Sequence, residues 1–175
     1  GDIIWRKKKM FGKNEIVGQK FFSDAKDTFL VTTIFGPTIQ GEGPLAGTPA
    51  MFIRLAKCNL ACSFCDTYFD QGEWMTIPQI LEKIHDRLFD YYEGQHSSHR
   101  THDMALIITG GEPTLQLIFP LCLEMHSHFK WVQIESNGVL STVLPEATML
   151  VVSPKCSEKK GVAVKYLKPN HDVLD

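Results

Sequence analysis

Residues 104–113 read MALIITGGEP, a short apolar run that ends in a glycine-rich turn carrying one acidic residue. The run predicts a buried strand over residues 104–109, because β-branched and aliphatic side chains favour extended backbone. Residues 114–129 follow with apolar positions that favour a helix, in which Pro120 would introduce a kink. A strand that passes through a polar turn into a helix is the repeating unit of an α/β fold.

The same pattern extends to both sides of this stretch. Residues 76–88 predict the most regular helix, with a capping threonine, an early proline and apolar residues at helical intervals. A turn-rich loop over residues 36–44 separates the first two strands. Strands are predicted at 28–35, 50–55, 131–135, 148–152 and 162–167, with a short segment at 141–146. Short apolar strands that alternate with helices predict an α/β fold with a mainly parallel sheet covered by helices.

Composition narrows the class of protein. The chain has 175 residues, 43% of them hydrophobic and 22% charged, as expected for one globular domain. The net charge is −2, whereas nucleic-acid-binding proteins usually carry an excess of basic residues. The composition therefore argues against a nucleic-acid partner. No apolar stretch reaches the roughly 20 residues that span a bilayer, and residues 1–28 lack the apolar segment of a signal peptide. We therefore expect a cytoplasmic protein with an N-terminal extension over 1–28 and a core domain over 29–175.

Three cysteines, Cys58, Cys62 and Cys65, lie close together in residues 57–67, KCNLACSFCDT. Thiolates suit zinc, copper(I) or iron–sulfur clusters, and a cubane held by three of them has one iron open to another ligand. Structural zinc sites usually repeat the cysteine pair or add histidines, and five cysteines are an odd number for disulfides. The spacing favours an iron–sulfur cluster over zinc, and zinc over disulfides.

The other two cysteines stand alone. Cys122 lies in an apolar, helical run and is predicted to be a small buried hydrophobe. Cys156 follows a Ser-Pro-Lys sequence and is either a fourth metal ligand or, as we favour, an incidental loop thiol.

Polar motifs follow four of the predicted strands. The cysteine loop comes after residue 55, the Gly-Gly-Glu-Pro turn after the central strand, Glu-Ser-Asn-Gly begins at residue 135 and Ser-Pro-Lys at residue 153. Ligands bind at the carboxyl edge of parallel α/β sheets. We therefore expect these motifs to converge on one rim.

The C-x3-C-x2-C loop after one strand and the Gly-Gly-Glu-Pro turn after another resemble the radical S-adenosylmethionine enzymes. Within that superfamily, the combined motifs resemble the 7-carboxy-7-deazaguanine synthase family over roughly residues 29–169; they lie at 38–43, 52–55, 58–67, 109–113, 135–138 and 153–155. The combination is specific, although a lone Gly-Gly motif is weak. Two departures stand out. The N-terminal extension is longer than is usual in the family, and the chain ends at Asp175 where the family continues, as a shortened or an incomplete version would.

The resemblance implies a partial (β/α) barrel of the radical S-adenosylmethionine type that holds a 4Fe-4S cluster. Cys58, Cys62 and Cys65 would ligate three irons, while the cofactor S-adenosylmethionine chelates the fourth. Thr67 would bind Mg²⁺. The residues implied in cofactor binding are Phe64, Cys65, Asp66, Gly110, Gly111, Glu112, Glu135, Ser136, Ser153, Pro154 and Lys155. Structural roles stay open for several of them: Phe64 as a lid over the cluster, Glu112 as the cap of the following helix, and the others as solvated loop residues.

The implied substrate is 6-carboxy-5,6,7,8-tetrahydropterin, with Ile39, Gln40, Gly41, Glu42, Arg54 and Thr109 as its contacts. Arg54 lies in an apolar strand and suits a carboxylate; the alternative is an internal ion pair with Glu42. The product would be 7-carboxy-7-deazaguanine, formed with loss of ammonia in queuosine-type 7-deazapurine biosynthesis, which makes the enzyme a carbon–nitrogen lyase. The resemblance also implies a homodimer and a reducing electron donor such as a flavodoxin.

Two other functions share part of this pattern. A glycyl-radical activase of the same superfamily would have the cysteines and the Gly-Gly-Glu-Pro turn, but it would not explain residues 38–43 or Arg54. A non-catalytic iron–sulfur protein would use Cys156 as the fourth ligand.

Overall fold

The computed structural model describes residues 19–21, 23–59, 71–93, 101–159 and 162–166, with side chains as far as Lys155. Residues 1–18 lie outside this part, so the division into an extension and a core domain stays a prediction. The strands are β1 (Thr28–Ile39), β2 (Pro49–Leu55), β3 (Glu73–Thr76), β4 (Ala105–Gly110), β5 (Trp131–Ser136), β6 (Met149–Val152), β7 (Cys156–Lys159) and β8 (Val162–Tyr166). The α-helices are α1 (Ile77–Tyr91) and α2 (Phe119–Met125), and short 3-10 turns lie at Gly43–Leu45, Thr101–Asp103 and Pro113–Leu115.

Six strands form one sheet in the order β3-β1-β2-β4-β5-β6. Strands β2, β4, β5 and β6 are parallel to one another, whereas β1 is antiparallel to both β2 and β3. The short connection between β1 and β2 permits only an antiparallel pair, because parallel neighbours need a long crossover. The α/β fold with a mainly parallel sheet is confirmed. Strands β7 and β8 pair separately as an antiparallel hairpin.

Several element boundaries differ from the prediction. The helix predicted over 114–129 is a 3-10 turn followed by the shorter α2, because Gln116 is extended between them and its side chain binds β1. Pro120 lies in the first turn of α2, where it fits without a kink. Strand β1 continues to Ile39 through a cis Gly36–Pro37 bond. The short strand β3 was not predicted, nor was β7, which begins at Cys156 where we predicted a loop.

The first helix agrees with the prediction at its start. Thr76 accepts a hydrogen bond from the backbone of Gln79, whose side chain in turn accepts one from the backbone of Thr76. This reciprocal pair is a capping box. Neither α1, with 15 residues, nor α2, with 7, meets the length and apolarity needed to cross a bilayer, and the described residues contain no other α-helix.

The two faces of the sheet have different environments. The outer face, defined as the side that packs against α1 and α2, carries aliphatic side chains such as Met51, Ile53, Leu106 and Ile134. The opposite side, here called the inner face, has a smaller apolar cluster of Leu45, Ala50, Phe52, Ala105 and Ile107. Arg54, Thr109, Gln133 and Glu135 alternate with outer-face residues, so they lie on the inner face.

Candidate functional site

The loops that follow β2, β4, β5 and β6 meet at the carboxyl edge of the sheet. The backbone N–H of Glu112 donates to the carbonyl of Lys57 at 2.8 Å, which joins the loops after β4 and β2. The N–H of Ser153 donates to the carbonyl of Ser136 at 2.8 Å, which joins the ends of β6 and β5. The predicted convergence of polar motifs is therefore confirmed for their described residues.

Glu112 links two of these turns through its side chain. The residue is fully buried, and its Oε1 accepts hydrogen bonds from the hydroxyls of Thr114 and Ser136, both at 2.7 Å, and from the N–H of Thr114 at 3.2 Å. Its Oε2 accepts the N–H of Asn137 at 2.8 Å. A buried carboxylate needs such donors to offset its loss of hydration. The capping role considered for Glu112 is confirmed, although the capped turn is a 3-10 turn; contact with a cofactor stays a prediction.

Cys58, the first cysteine of the loop, lies next to the hydrogen bonds made by Glu112 and Asn137. Cys58 is buried in the loop after β2, and its Sγ lies 4.0 Å from Oδ1 of Asn59. That oxygen also accepts a hydrogen bond from Nδ2 of Asn137 at 2.8 Å, so the turn after β5 holds the start of the cysteine loop. A buried thiol at the carboxyl edge fits a thiolate ligand for iron. The other predicted residues of this loop lie outside the described residues: Cys62, Phe64, Cys65, Asp66 and Thr67.

Arg54, Thr109 and Glu135 stand side by side on the inner face. Arg54 pairs with Thr109 across β2 and β4, and Glu135 follows in the same register on β5. The guanidinium of Arg54 lies 5.1 Å from the centre of the Phe35 ring, and its Nε is buried without a hydrogen-bond partner. Glu42 is exposed and forms no ion pair with it. The alternative considered for Arg54, an internal ion pair with Glu42, is therefore not formed between these two described residues.

The loop between β1 and β2 places Gln40, which was predicted to bind the substrate, next to Glu135, which was predicted to bind the cofactor. Gln40 is buried, and its Nε2 donates to Oε1 of Glu135 at 2.9 Å. Its Oε1 accepts the N–H of Gly41, and its backbone pairs with Gly47 and Thr48 to close the loop. Ile39, Gly41 and Glu42 are exposed beside it. Glu135 thus lies on the side of the site predicted to hold the substrate.

Gly110 is at its position because of a close backbone approach. Its φ is +143°, and a Cβ there would meet the backbone nitrogen of Leu55 at 2.6 Å as well as its carbonyl oxygen. The following residue, Gly111, donates its N–H to that same carbonyl. Glycine is required at 110 by the contact between β2 and β4, which is a structural reason beside the predicted cofactor contact.

The remaining predicted residues lie at the rim with differing exposure. Ser136 is buried, since it donates to Glu112 and accepts the N–H of Gly138 at 3.0 Å. Ser153 and Lys155 are half-buried, and Pro154 is exposed. Cys122, by contrast, is buried in the outer core, where burial raises the pKa of its thiol to about 12, as expected for an inert thiol.

Sequence reasoning missed Gln133, Asn59 and Asn137. Gln133 is fully buried in the middle of β5, and neither atom of its amide has a hydrogen-bond partner in the described part of the chain. The signal was present, since an amide interrupts the otherwise apolar strand at residues 131–134. The two asparagines lie within quoted motifs, but their role was missed, because their mutual hydrogen bond joins residues 78 positions apart.

Comparison with known proteins agrees with this architecture, although no family model matches the chain. The chain is 41% identical over 166 residues to the 7-carboxy-7-deazaguanine synthase of Rickettsia prowazekii, covering 95% of this chain and 65% of that protein. It is 37% identical over 157 residues to the enzyme of the same name from Burkholderia multivorans, covering 81% of this chain and 72% of that protein.

One solved structure, QueE from Escherichia coli, is similar with a TM-score of 0.64 and 21% identity, over 87% of this chain and 72% of that one. The chain spans 65% and 64% of the length of the relatives from Rickettsia prowazekii and Rhodospirillum rubrum. The structural likeness supports the α/β fold, and the sequence identity supports the ancestry. This chain therefore belongs to the 7-carboxy-7-deazaguanine synthase family.

Proposed function

We propose that this chain forms the active-site core of a radical S-adenosylmethionine enzyme that converts 6-carboxy-5,6,7,8-tetrahydropterin to 7-carboxy-7-deazaguanine with loss of ammonia. The observation that carries the proposal is Arg54, a half-buried cation without a carboxylate partner among the described residues, set beside Thr109 and Glu135 and near the start of the cysteine loop. Family membership supplies the reaction. The reaction belongs to queuosine-type 7-deazapurine biosynthesis and makes the enzyme a carbon–nitrogen lyase.

Cys58, Cys62 and Cys65 would hold three irons of a 4Fe-4S cluster, and the rim residues would bind S-adenosylmethionine. The bound cluster and S-adenosylmethionine together would supply one-electron cleavage of the cofactor, which gives a carbon radical that abstracts hydrogen. Glu112 and Asn137 hold the surrounding turns in place through the hydrogen bonds described above. Their role is to keep the three turns at fixed separations while the cofactor binds.

Arg54 would bind the substrate carboxylate through two parallel N–H donors. Its guanidinium plane is supported by Phe35, which in turn stacks on Phe52 with ring centres 4.8 Å apart. This stack orients the cation and also excludes water from one side of the pocket. Thr109 would add a hydroxyl next to the carboxylate.

Gln40 and Glu135 would bind the pterin ring. The hydrogen bond from Gln40 occupies Oε1 of Glu135, which leaves Oε2 to accept from an N–H donor of the ring. The exposed backbone of Ile39 and Gly41 and the side chain of Glu42 would complete the contacts. Thr67 would bind Mg²⁺, a hard cation that prefers oxygen ligands and bridges protein and substrate oxygens.

The proposed partners and location rest on the family resemblance and on the composition of the sequence. Reduction of the cluster requires a low-potential donor such as a flavodoxin. A homodimer, a cytoplasmic location and a small-molecule substrate without nucleic-acid or membrane partners complete the proposal.

The test is anaerobic reconstitution of the cluster followed by addition of reductant, S-adenosylmethionine, Mg²⁺ and the carboxypterin. We expect mass spectrometry to find 5′-deoxyadenosine and 7-carboxy-7-deazaguanine. Formation of 5′-deoxyadenosine without the deazapurine would reject the substrate. An intact cluster without cofactor cleavage would reject radical chemistry for this chain.

A separate variant distinguishes the two alternative functions. The glycyl-radical activase leaves Arg54, Gln40 and Glu135 without a role, which disfavours it. In the non-catalytic iron–sulfur protein, Cys156 would be the fourth ligand. The variant Cys156→Ala should keep its cluster if S-adenosylmethionine occupies the fourth iron, and loss of the cluster would favour the non-catalytic protein.

A further inference from the structure

Gln133 lies on the inner face of the sheet, and its polar side chain has no hydrogen-bond partner in the part of the chain that the structure describes. Its exposure is 0%, and both Oε1 and Nε2 lack hydrogen-bond partners among the described residues. Burying an amide in this way costs free energy, because its hydrogen bonds to water are lost without replacement. An unsatisfied buried amide in a native fold therefore calls for a reason.

The position of Gln133 relates it to the predicted substrate contacts. It lies two residues before Glu135 on the same face of β5, roughly 7 Å deeper along the strand. On β6 it pairs with Met149, and on β4 with Ile107. A Cβ built on Gly43 would lie 3.3 Å from Oε1 of Gln133, so the amide reaches the loop that carries Gln40, Gly41 and Glu42.

A second buried glutamine, Gln116, shows the hydrogen bonds that a buried amide makes when its role is structural. Gln116 is 1% exposed, yet its Oε1 accepts the N–H of Leu30 at 2.8 Å and its Nε2 donates to the carbonyl of Leu30 at 3.0 Å. Both atoms are satisfied by one backbone residue, which exchanges a donor and an acceptor with the side chain. Gln133 carries the same donor and acceptor on the inner face, where neither has a partner among the described residues.

We propose that Gln133 is a specificity-determining residue that binds the lactam edge of a pterin-type ring, accepting from the ring N–H and donating to the adjacent ring carbonyl. The proposal rests on the proposed function. A lactam places a donor and an acceptor on neighbouring atoms, as the backbone of Leu30 does for Gln116, so one ring edge satisfies both atoms of the amide. Arg54 lies two strands away and two residues nearer the carboxyl edge, roughly 12 Å by strand spacing and rise per residue, and a flat bicyclic ring with a carboxylate at its far end can bridge the two side chains.

The test compares Gln133→Leu with the matched control Gln116→Leu by two measurements. The first is the thermal unfolding midpoint. The second is the affinity for pterin-6-carboxylate, a stable fluorescent compound with the same lactam and carboxylate. We expect Gln133→Leu to unfold at the wild-type midpoint or higher and to bind about 10-fold to 100-fold more weakly. Gln116→Leu should unfold at a lower midpoint, because it removes the acceptor of the buried Leu30 N–H, while the Leu30 carbonyl keeps its hydrogen bond from Ala56.

A second ligand tests the polar edge of the ring. Quinoxaline-2-carboxylate keeps a bicyclic ring and the carboxylate but has neither the lactam nor the 2-amino group. We expect wild-type protein to prefer pterin-6-carboxylate and Gln133→Leu to show a smaller preference, because Glu135 still accepts from a ring N–H. Equal affinity of wild type and Gln133→Leu for pterin-6-carboxylate, or a fall in midpoint as large as that of Gln116→Leu, would overturn the role of Gln133 alone. If wild type binds neither compound and forms no deazapurine, the proposed function fails as well.

Discussion

The outer and inner faces of the sheet differ in how completely their buried polar groups are satisfied. Beside the outer core, Gln116 exchanges two hydrogen bonds with Leu30. Among the described residues, the buried side-chain polar atoms without a partner are Nε of Arg54 and both amide atoms of Gln133, and all three lie on the inner face. The difference teaches that one face is a finished core, while the other retains hydrogen-bonding capacity that suits a polar ligand.

The largest expected effect contrasts two buried cysteines. Cys58→Ala should abolish assembly of the 4Fe-4S cluster and all product formation, because a cluster held by two thiolates loses an iron ligand. Cys122→Ala, in the outer core, should keep the cluster. Iron content and visible absorbance after anaerobic reconstitution measure both. Full cluster occupancy in Cys58→Ala would contradict the ligand assignment.

A second contrast compares Glu112 at the rim with Glu124, which is exposed on α2. Glu112→Ala should lower the free energy of unfolding by about 3–5 kcal/mol, because its buried donors lose their acceptor. Glu124→Ala should change it by less than about 0.5 kcal/mol. Urea denaturation measures both values. A small change in Glu112→Ala would mean that the turns hold their geometry without this carboxylate.

Arg54 tests whether the inner face prefers an anion. Arg54→Met keeps the apolar stem but removes the charge, so we expect binding of pterin-6-carboxylate to weaken about 100-fold without loss of stability. The matched variant Arg87→Met, on the exposed side of α1, should bind as wild type does. Fluorescence titration gives both affinities. Equal affinities in the two variants would remove Arg54 from the binding site.

The smallest effect concerns the outer face alone. Thr76→Ala removes the capping box of α1 and should lower stability by about 1 kcal/mol. Binding of pterin-6-carboxylate should stay unchanged, because α1 packs on the opposite side of the sheet. Thermal unfolding and titration on the same sample provide the measurements. Weaker binding would show that the two faces are energetically coupled.

Much of the fold could be predicted because its signals are local. The apolar runs of β4 and β5, the capping threonine of α1 and the order of strands and helices all depend on neighbouring residues. The errors arose where distant residues intervene. Gln116 ends the predicted helix early by binding β1, and β3 exists because its four residues pair with the start of β1.

The candidate site divides in the same way. The motifs and their place at the carboxyl ends of strands could be predicted, because each polar turn directly follows a predicted strand in the sequence. Predictions for Cys62, Phe64, Cys65, Asp66 and Thr67 stay predictions. The partners of Glu112 were not readable, since its hydrogen bonds reach residues 24 and 25 positions away.

The amino-acid sequence by itself determined the class of fold and the set of chemical groups near the rim, because those depend on periodicity and spacing, and its combined motifs indicated the family by resemblance. The tertiary structure alone decided which groups are satisfied. Two buried glutamines look alike in the sequence, yet one meets the backbone of Leu30 and the other does not. The physical reason is that the cost of burying a polar group depends on the partners that folding brings to it, and those partners come from distant parts of the chain.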